Sequence, residues 1–410
     1  MQSKKLSGCQ IFHAANLPQN WDCVPLRERV EFLYGRALHE EDRSPGEIDV
    51  FGSNGKVGTH NTKWLDGPGI LVGRKGTVGA VHYAMRPFWP IDTVYYVNPI
   101  NGDNLRYLYH LLQYLPLSFL NAATGVPGLS RRDVYALRGA FPPPEEQGAI
   151  ARILDTVEKA IELTRKAVGL ARVLDHSLLN RLLEYGLAAG SGQKLKRPAH
   201  WQIRRVDEVA EVGSGVTLGK DVSGSKYVEL PYLRVANVQD GHLDLSVIKT
   251  VKVRIEEVDR YRLEPGDVLM TEGGDLDKLG RGTLWEGQIP DCLHQNHIFR
   301  IRANRAVLDP RFFAYVVESD ITKGYFLRVA KRTTNLASTN KTQVRAFRFP
   351  VPPLREQERI VEIVSAAKAQ LRGLMRKEEA LRRLKQSLMR DLLTGKVRVN
   401  NLNLAATAIS

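Results

Sequence analysis

Cysteine is nearly absent from this sequence: three among 410 residues, at Cys9, Cys23 and Cys292. An odd trio without repeated spacing excludes a disulfide framework and fits a reducing cytoplasm. Long hydrophobic runs are missing too. The most apolar stretch, Tyr107 to Leu120, is interrupted by His110, Gln113 and Pro116, and is too short and too polar to cross a bilayer. The first ten residues lack the apolar core of a secretory signal. Acidic residues are in deficit, with 45 Asp and Glu against 59 Lys and Arg, a net charge of +14. Such a surplus favours a polyanionic partner, nucleic acid first. A merely basic protein is the plain alternative.

Signatures of catalysis are wanting as well. Gly52 to Thr59 has glycines around Lys56, but P-loop spacing is absent and Val57 stands where Ser or Thr should follow the lysine. Cys292, His294 and His297 carry metal-ligating atoms. They enter a strand in which alternation sends the two histidines to opposite faces, and no fourth ligand is suitably spaced. There is no Asn-Pro-Pro-aromatic methyltransferase signature, no glycine-rich cofactor loop after a strand and no nuclease carboxylate cluster. No catalytic residue, metal site or cofactor is expected in this chain.

What is present is a repeat. Residues 142–185 align without a gap on residues 352–395, 210 positions later, with twelve identities that include Pro142/Pro352, Glu146/Glu356, Gln147/Gln357, Arg172/Arg382, Leu174/Leu384 and Leu183/Leu393. A long gapless match suits a helix. Each copy follows a proline cluster and carries glutamate in its first turn, as the helix dipole favours. Apolar residues recur at close to seven-residue spacing: Ile150, Val157, Ala171 and Leu178 beside Ile153 and Leu174, then Ile360, Ala367, Leu374, Leu381 and Leu388 beside Ile363 and Leu384. Each helix therefore has one seam, and two matching seams bury each other most simply as an antiparallel pair. Packing of each helix on its own globular block is the competing arrangement. About 42 residues make a rod of about 63 Å.

The segments between the helices are similar only in outline. Trp21 with Val24 and Leu26 parallels Trp201 with Ile203 and Val206, and the run from Thr93 parallels that from His297, each with a short helix to follow. Short Val/Ile/Tyr runs between Gly, Asp and Asn turns read as strands. The expected fold is α+β: two β-rich domains and two long antiparallel helices in a pseudo-two-fold arrangement. The expected boundaries are 1–141, 142–198 (helix and linker), 199–350, 351–399 (second helix) and a 400–410 tail.

With Phe141-Pro142-Pro143-Pro144-Glu145-Glu146-Gln147 and Phe349 to Gln357 heading the helices, the chain resembles the specificity subunit of type I restriction–modification enzymes over nearly its full length. Val50 to Gly58, Ile70 to Gly79, Gly266 to Met270 and Thr333 to Lys341 support the resemblance. It implies two target-recognition domains, each reading half of a split double-stranded DNA target, with conserved helices fixing the gap. It implies a non-catalytic subunit that directs adenine methylation and restriction by partners: methyltransferase subunits, two of them, using S-adenosylmethionine, and motor-endonuclease subunits using ATP with Mg2+. No membrane partner is expected.

A DNA reader needs cations for phosphates and amide or hydroxyl groups for base edges. Candidates in the first block are Ser53, Asn54, Lys56, Arg74, Lys75, Thr77, Arg131 and Arg132. Those in the second are Lys278, Arg281, Lys331, Arg332, Thr333, Thr334, Asn335, Asn340 and Lys341. All sit in segments that also read as ordinary solvated turns. The acidic run Glu272 to Arg281 either accepts from cytosine N4 or holds Lys278 and Arg281 in place, the second being favoured. Leu154, Ile161, Val168 and Leu182 form a second stripe beside the first seam and are expected to dock methyltransferase helices, with packing on the globular blocks as the alternative. An enzyme with unrecognised motifs, and a scaffold or decoy that no longer reads DNA, are the rival functions.

Overall fold

The computed structural model describes residues 12, 17–120, 128–187, 197–217, 226–274, 279–332 and 337–399. They fall into two compact units, residues 1–165 with 376–410, and residues 166–375.

In chain order the first unit contains β1 (Asp22–Pro25), β2 (Val30–Tyr34), β3 (Ile48–Gly52), β4 (Gly55–His60), β5 (Gly69–Gly73), β6 (Val81–Ala84), β7 (Phe88–Pro90), β8 (Val94–Pro99), α1 (Leu105–Tyr114), α2 (Arg131–Ala136), β9 (Arg138–Phe141) and the start of α3 (Pro144–Tyr185). A four-stranded antiparallel sheet runs β2-β8-β5-β6. Beside it lies β4-β3-β7, in which β3 pairs antiparallel with β4 and parallel with β7. β1 pairs with β9, so the block's first and last strands close on each other just before α3.

The second unit repeats this plan. It contains the rest of α3, then β10 (Gln202–Arg205), α4 (Val206–Val209), β11 (Ala210–Ser214), β12 (Tyr227–Leu233), β13 (Lys249–Arg254), α5 (Val258–Tyr261), β14 (Asp267–Thr271), β15 (Gly273–Gly274), β16 (Gly282–Leu284), β17 (Leu293–His294) and β18 (Ile298–Ala303). After these come α6 (Pro310–Glu318), α7 (Asp320–Val329), β19 (Lys331–Arg332), β20 (Ala337–Ser338), α8 (Lys341–Ala346), β21 (Arg348–Val351) and α9 (Leu354–Leu393), whose final part belongs to the first unit. The sheet runs β11-β18-β14-β16 and is flanked by β13-β12-β17, again with one antiparallel and one parallel pairing. β10 closes on β21. The faint likeness in sequence is thus a likeness in sheet order, to which the second unit adds α4, α5, α7 and the small strands β15, β19 and β20.

Each unit's core joins sheet, short helix and both long helices. In the first, Phe32, Val97, Tyr107 and Leu111 pack with Ile150 and Leu154 of α3 and with Met389, Leu392 and Leu393 of α9. In the second, Phe299, Ile301, Phe312 and Phe313 pack with Leu179, Leu182 and Leu183 of α3 and with Ile360, Val361 and Val364 of α9. In both units the opposite ends of α3 and α9 meet, which is antiparallel pairing. Helix on helix and helix on block therefore occur together; they were not alternatives.

Two seam assignments need correcting. Leu174 and Leu384 are exposed, at 63% and 46%. A straight helix drifts by about 20° per heptad against a strict seven-residue repeat. Three heptads beyond Ile153 and Ile363, these leucines have turned out of the seam.

The repeated motif at the head of each long helix has a job beyond the dipole. Gln147 is buried, donates Nε2–H to the Asp103 carboxylate (2.7 Å) and the Pro142 carbonyl (2.9 Å), and accepts from Asn104 N–H (2.8 Å). Gln357 repeats this, donating to the carbonyls of Val307 (2.9 Å) and Pro352 (2.8 Å) and accepting from Asp309 N–H (2.8 Å). Asn104 and Asp309 are the N-caps of α1 and α6. Each glutamine thus ties a long helix to the cap of its block's short helix. The preceding glutamates accept from tryptophan indoles, Trp21 to Glu146 (3.1 Å) and Trp201 to Glu356 (3.0 Å). Burial alone would raise the pKa of Glu146. Hydrogen bonds from Arg398, Val399 N–H and Trp21 overcome that and lower it.

Candidate nucleic-acid interface

In the first unit three segments far apart in sequence converge at one end of the central sheet. Ser53 and Asn54 form the tight turn between β3 and β4, which leaves through Gly55 at φ +99°, a conformation glycine adopts without a Cβ clash. A Cβ added at Gly76 would meet Ser53 Oγ at 3.1 Å, so this turn lies against the loop after β5. That loop is tied in turn to the segment before α2 by a bridge between Lys75 and Gly128. Asn54, Lys75, Thr77 and Arg132 are exposed, and Ser53 partly so. Lys56 pairs with Asp49 at 2.5 Å, both side chains partly open to solvent.

Arg74 and Arg131 are built differently. The Arg74 guanidinium donates to the Asp92 carbonyl (2.6 and 3.0 Å) and lies 5.2 Å from the Tyr34 ring centroid. Arg131 lies 4.4 Å from the same ring and donates to the Phe32 carbonyl at 3.3 Å. Tyr34, itself 48% exposed, is an aromatic platform holding two cations at the surface. Sequence reasoning missed it; its position at the end of a strand carried no separate signal.

The second unit has its counterpart at the same topological place. Gly273–Gly274, Lys331–Arg332 and Ala337–Ser338 form the small sheet β15-β20-β19, and Thr339 donates N–H to the Glu272 carbonyl at 2.7 Å. Asn340 caps α8 by accepting from Gln343 N–H at 2.9 Å, so its amide serves the helix end. Lys331 and Lys341 are exposed. Ser130 before α2 and Asn340 before α8 are 210 positions apart, so Arg131 and Lys341 open equivalent helices. Lys278, Thr333, Thr334 and Asn335 lie outside the described residues. Within the described part of the acidic run, Arg281 donates to Gln239 Oε1 at 2.7 Å and Glu272 pairs with His297, while Asp275 and Asp277 lie outside the described residues.

Cys292, His294 and His297 are not a converging set among the described residues. His294 Nδ1 hydrogen-bonds the Tyr261 carbonyl at 3.0 Å, and burial pushes its pKa down to about 4. Burial also pushes the Cys292 thiol up to about 12. A different set, His110, Asp155 and Glu158, brings its ligand atoms within 4.8 Å of one another. Arg106 and Lys385 already neutralise it. Burial works to raise the Asp155 pKa, but hydrogen bonds from His110 and Arg106 hold it down at about 2. The cluster is an ion-pair network joining α1 to both long helices.

The docking stripe expected on α3 also needs correcting. Leu154 and Leu182 are buried in the cores of the first and second units, Val168 is buried and Ile161 is partly buried. The apolar side chains α3 leaves open are Leu163, Leu170, Val173 and Leu174.

The family description "Type I restriction modification DNA specificity domain" matches residues 18–168 and 198–381. The chain belongs to this family. As a specificity subunit it recognises DNA sequence and is not itself the catalyst. It is 24% identical to the type I restriction enzyme MjaVIII specificity subunit of Methanocaldococcus jannaschii, over 98% of this chain and 99% of that one. It is 27% identical to the putative MjaX specificity subunit of the same organism, but there the match covers 48% of this chain and about half (46%) of the relative. Among solved structures, the S subunit of a type I restriction–modification system from M. genitalium matches with a TM-score of 0.61 at 16% identity, over 92% of this chain and 98% of that one. The specificity subunit's fold is therefore that of a solved S subunit. No described helix is long and apolar enough to cross a membrane.

Proposed function

We propose that this subunit reads a bipartite, asymmetric double-stranded DNA target, one half with each β-rich block. It directs adenine methylation there, and restriction, by partner subunits in the cytoplasm. The observation that carries the reading is likeness of frame with chemical difference. Both blocks set the loop after the third strand of the central sheet against the segment before α2 or α8, through Lys75–Gly128 in one and Gly273–Ser338 in the other, but one offers Arg74, Lys75, Thr77 and Arg131, the other Glu272, Lys331 and Lys341. Like frames with unlike tips suit two readers of unlike sequence, since phosphate contacts position a protein and base-edge contacts specify. Substituting the first block, residues 22–141, with that of a relative is expected to change one half of the methylated motif and leave the other. A simultaneous change of both halves, read by methylation mapping, would overturn the reading.

The partners we propose are two methyltransferase subunits, which would use S-adenosylmethionine, and motor-endonuclease subunits, which would use ATP with Mg2+. Leu174 and Leu384 support a pair of like partners: they are identical residues, 210 positions apart, and both exposed. Replacing either with aspartate is expected to weaken assembly about tenfold or more while leaving DNA binding by the isolated subunit in place. Co-purification with the methyltransferase subunit measures it, and undiminished assembly would rule these leucines out.

A further inference from the structure

Among the positions at which α3 and α9 differ, two reverse charge and meet across the helix pair. An offset of 210 carries Glu158 onto Lys368 and Asp175 onto Lys385. In the first unit Lys385 of α9 donates to Glu158 of α3 at 2.9 Å. In the second unit Lys368 of α9 donates to Asp175 of α3 at 3.1 Å. These are the same place in the repeat seen from its two ends. At both, the carboxylate belongs to α3 and the ammonium to α9. The side chains are largely sequestered, with Asp175 at 12%, Lys385 at 14%, Lys368 at 17% and Glu158 at 30% exposure. Each lysine is also gripped from its block's short helix, Lys385 by Gln113 Oε1 (3.0 Å) and Lys368 by Glu318 (2.6 Å).

We propose that these pairs are a charge code for helix pairing. It accepts α3 against α9 and rejects like against like. Two α3 helices in the same antiparallel register would set Glu158 against Asp175 twice. Two α9 helices would set Lys368 against Lys385 twice. The apolar seams, being repeats of one another, do not make this distinction; it rests on polar groups, as register and partner choice do in coiled coils. Sequestered like charges repel far more strongly than solvated ones. The pairing rule stands on the helices alone. Its consequence, one reader of each kind per complex, rests on the DNA reading above.

The test uses the full chain in a Glu318→Gln background, which gives the second block the residue type of Gln113. An acid-only chain carries Lys368→Glu and Lys385→Glu, a base-only chain Glu158→Lys and Asp175→Lys, and a reversed chain all four. Arg106 keeps Asp155 as a partner in every arm. Light scattering after size exclusion is expected to show soluble monomer reduced about tenfold or more for either single-sign chain. Recovery is expected in the reversed chain, together with a one-to-one dimer when the acid-only and base-only chains are co-expressed. A single-sign chain that stays monomeric at the parental yield overturns the code. So does a reversed chain no better than the single-sign ones.

Discussion

Replacing Gln357 with leucine is expected to destabilise the second unit by about 3 kcal/mol or more, and Gln147→Leu to do the same to the first. Each glutamine is buried and makes three hydrogen bonds that leucine cannot. Losing one such bond costs about 1 kcal/mol, and each buried partner left unpaired adds its own desolvation. The lost partners include the backbone N–H of the residue that caps the short helix, so α6 or α1 should fray from its start. Hydrogen exchange resolved by peptide checks this. Protection should fall in residues 199–350 for one variant and in residues 18–141 for the other. Equal loss in both units from a single substitution would show that the two do not fold as separate cores.

Acid is expected to weaken the second unit before its carboxylates titrate. His294 is held neutral by burial, with a folded pKa of about 4, against an ordinary histidine value near 6.5. Its Nδ1–H donates to the Tyr261 carbonyl, while Nε2 has no hydrogen-bond partner among the described residues. The unfolded chain therefore gains a proton below about pH 6.5 that the folded chain accepts only near pH 4. Stability is full above pH 6.5 and falls as the pH drops toward 4, by on the order of 3 kcal/mol. His294→Asn keeps an amide donor for Tyr261 but has nothing to titrate. Its stability at pH 7 should be lower, from the lost ring volume, and its decline from pH 7 to 4.5 shallower by about that amount. His110 is also lowered by burial in the first unit, so unfolding must be followed by second-unit exchange. Parallel slopes for the two chains would exclude His294 as the cause.

The long helices were legible because a gapless repeat with proline, glutamate and heptad signals leaves few other readings. The blocks were harder. Strand pairing joins residues such as Phe32 and Val97, whose separation in sequence leaves no local trace, so their common topology showed only as a faint likeness of Trp21 to Trp201. At the candidate interface, composition picked out Arg74 and Arg131, but only the fold places them on Tyr34. Periodicity counts apolar residues on a face without saying which of them the fold covers, and so it did not separate the buried Leu154 and Val168 from the exposed Leu170 and Leu174. Glu158, Asp175, Lys368 and Lys385 escaped notice because the repeat was read for its identities, while their message is in its differences.

The ladders β1–β9 and β10–β21 bear on how such a chain changes over generations. In each block the opening strand zips to the closing one, Cys23 beside Ala140 and Ile203 beside Pro350. A genetic exchange that takes the whole interval between those strands carries both sides of its own clasp, whereas one that cuts within it must re-mate foreign edges. New specificities should therefore arise by crossing over outside the clasp, within the stretches that encode the rods.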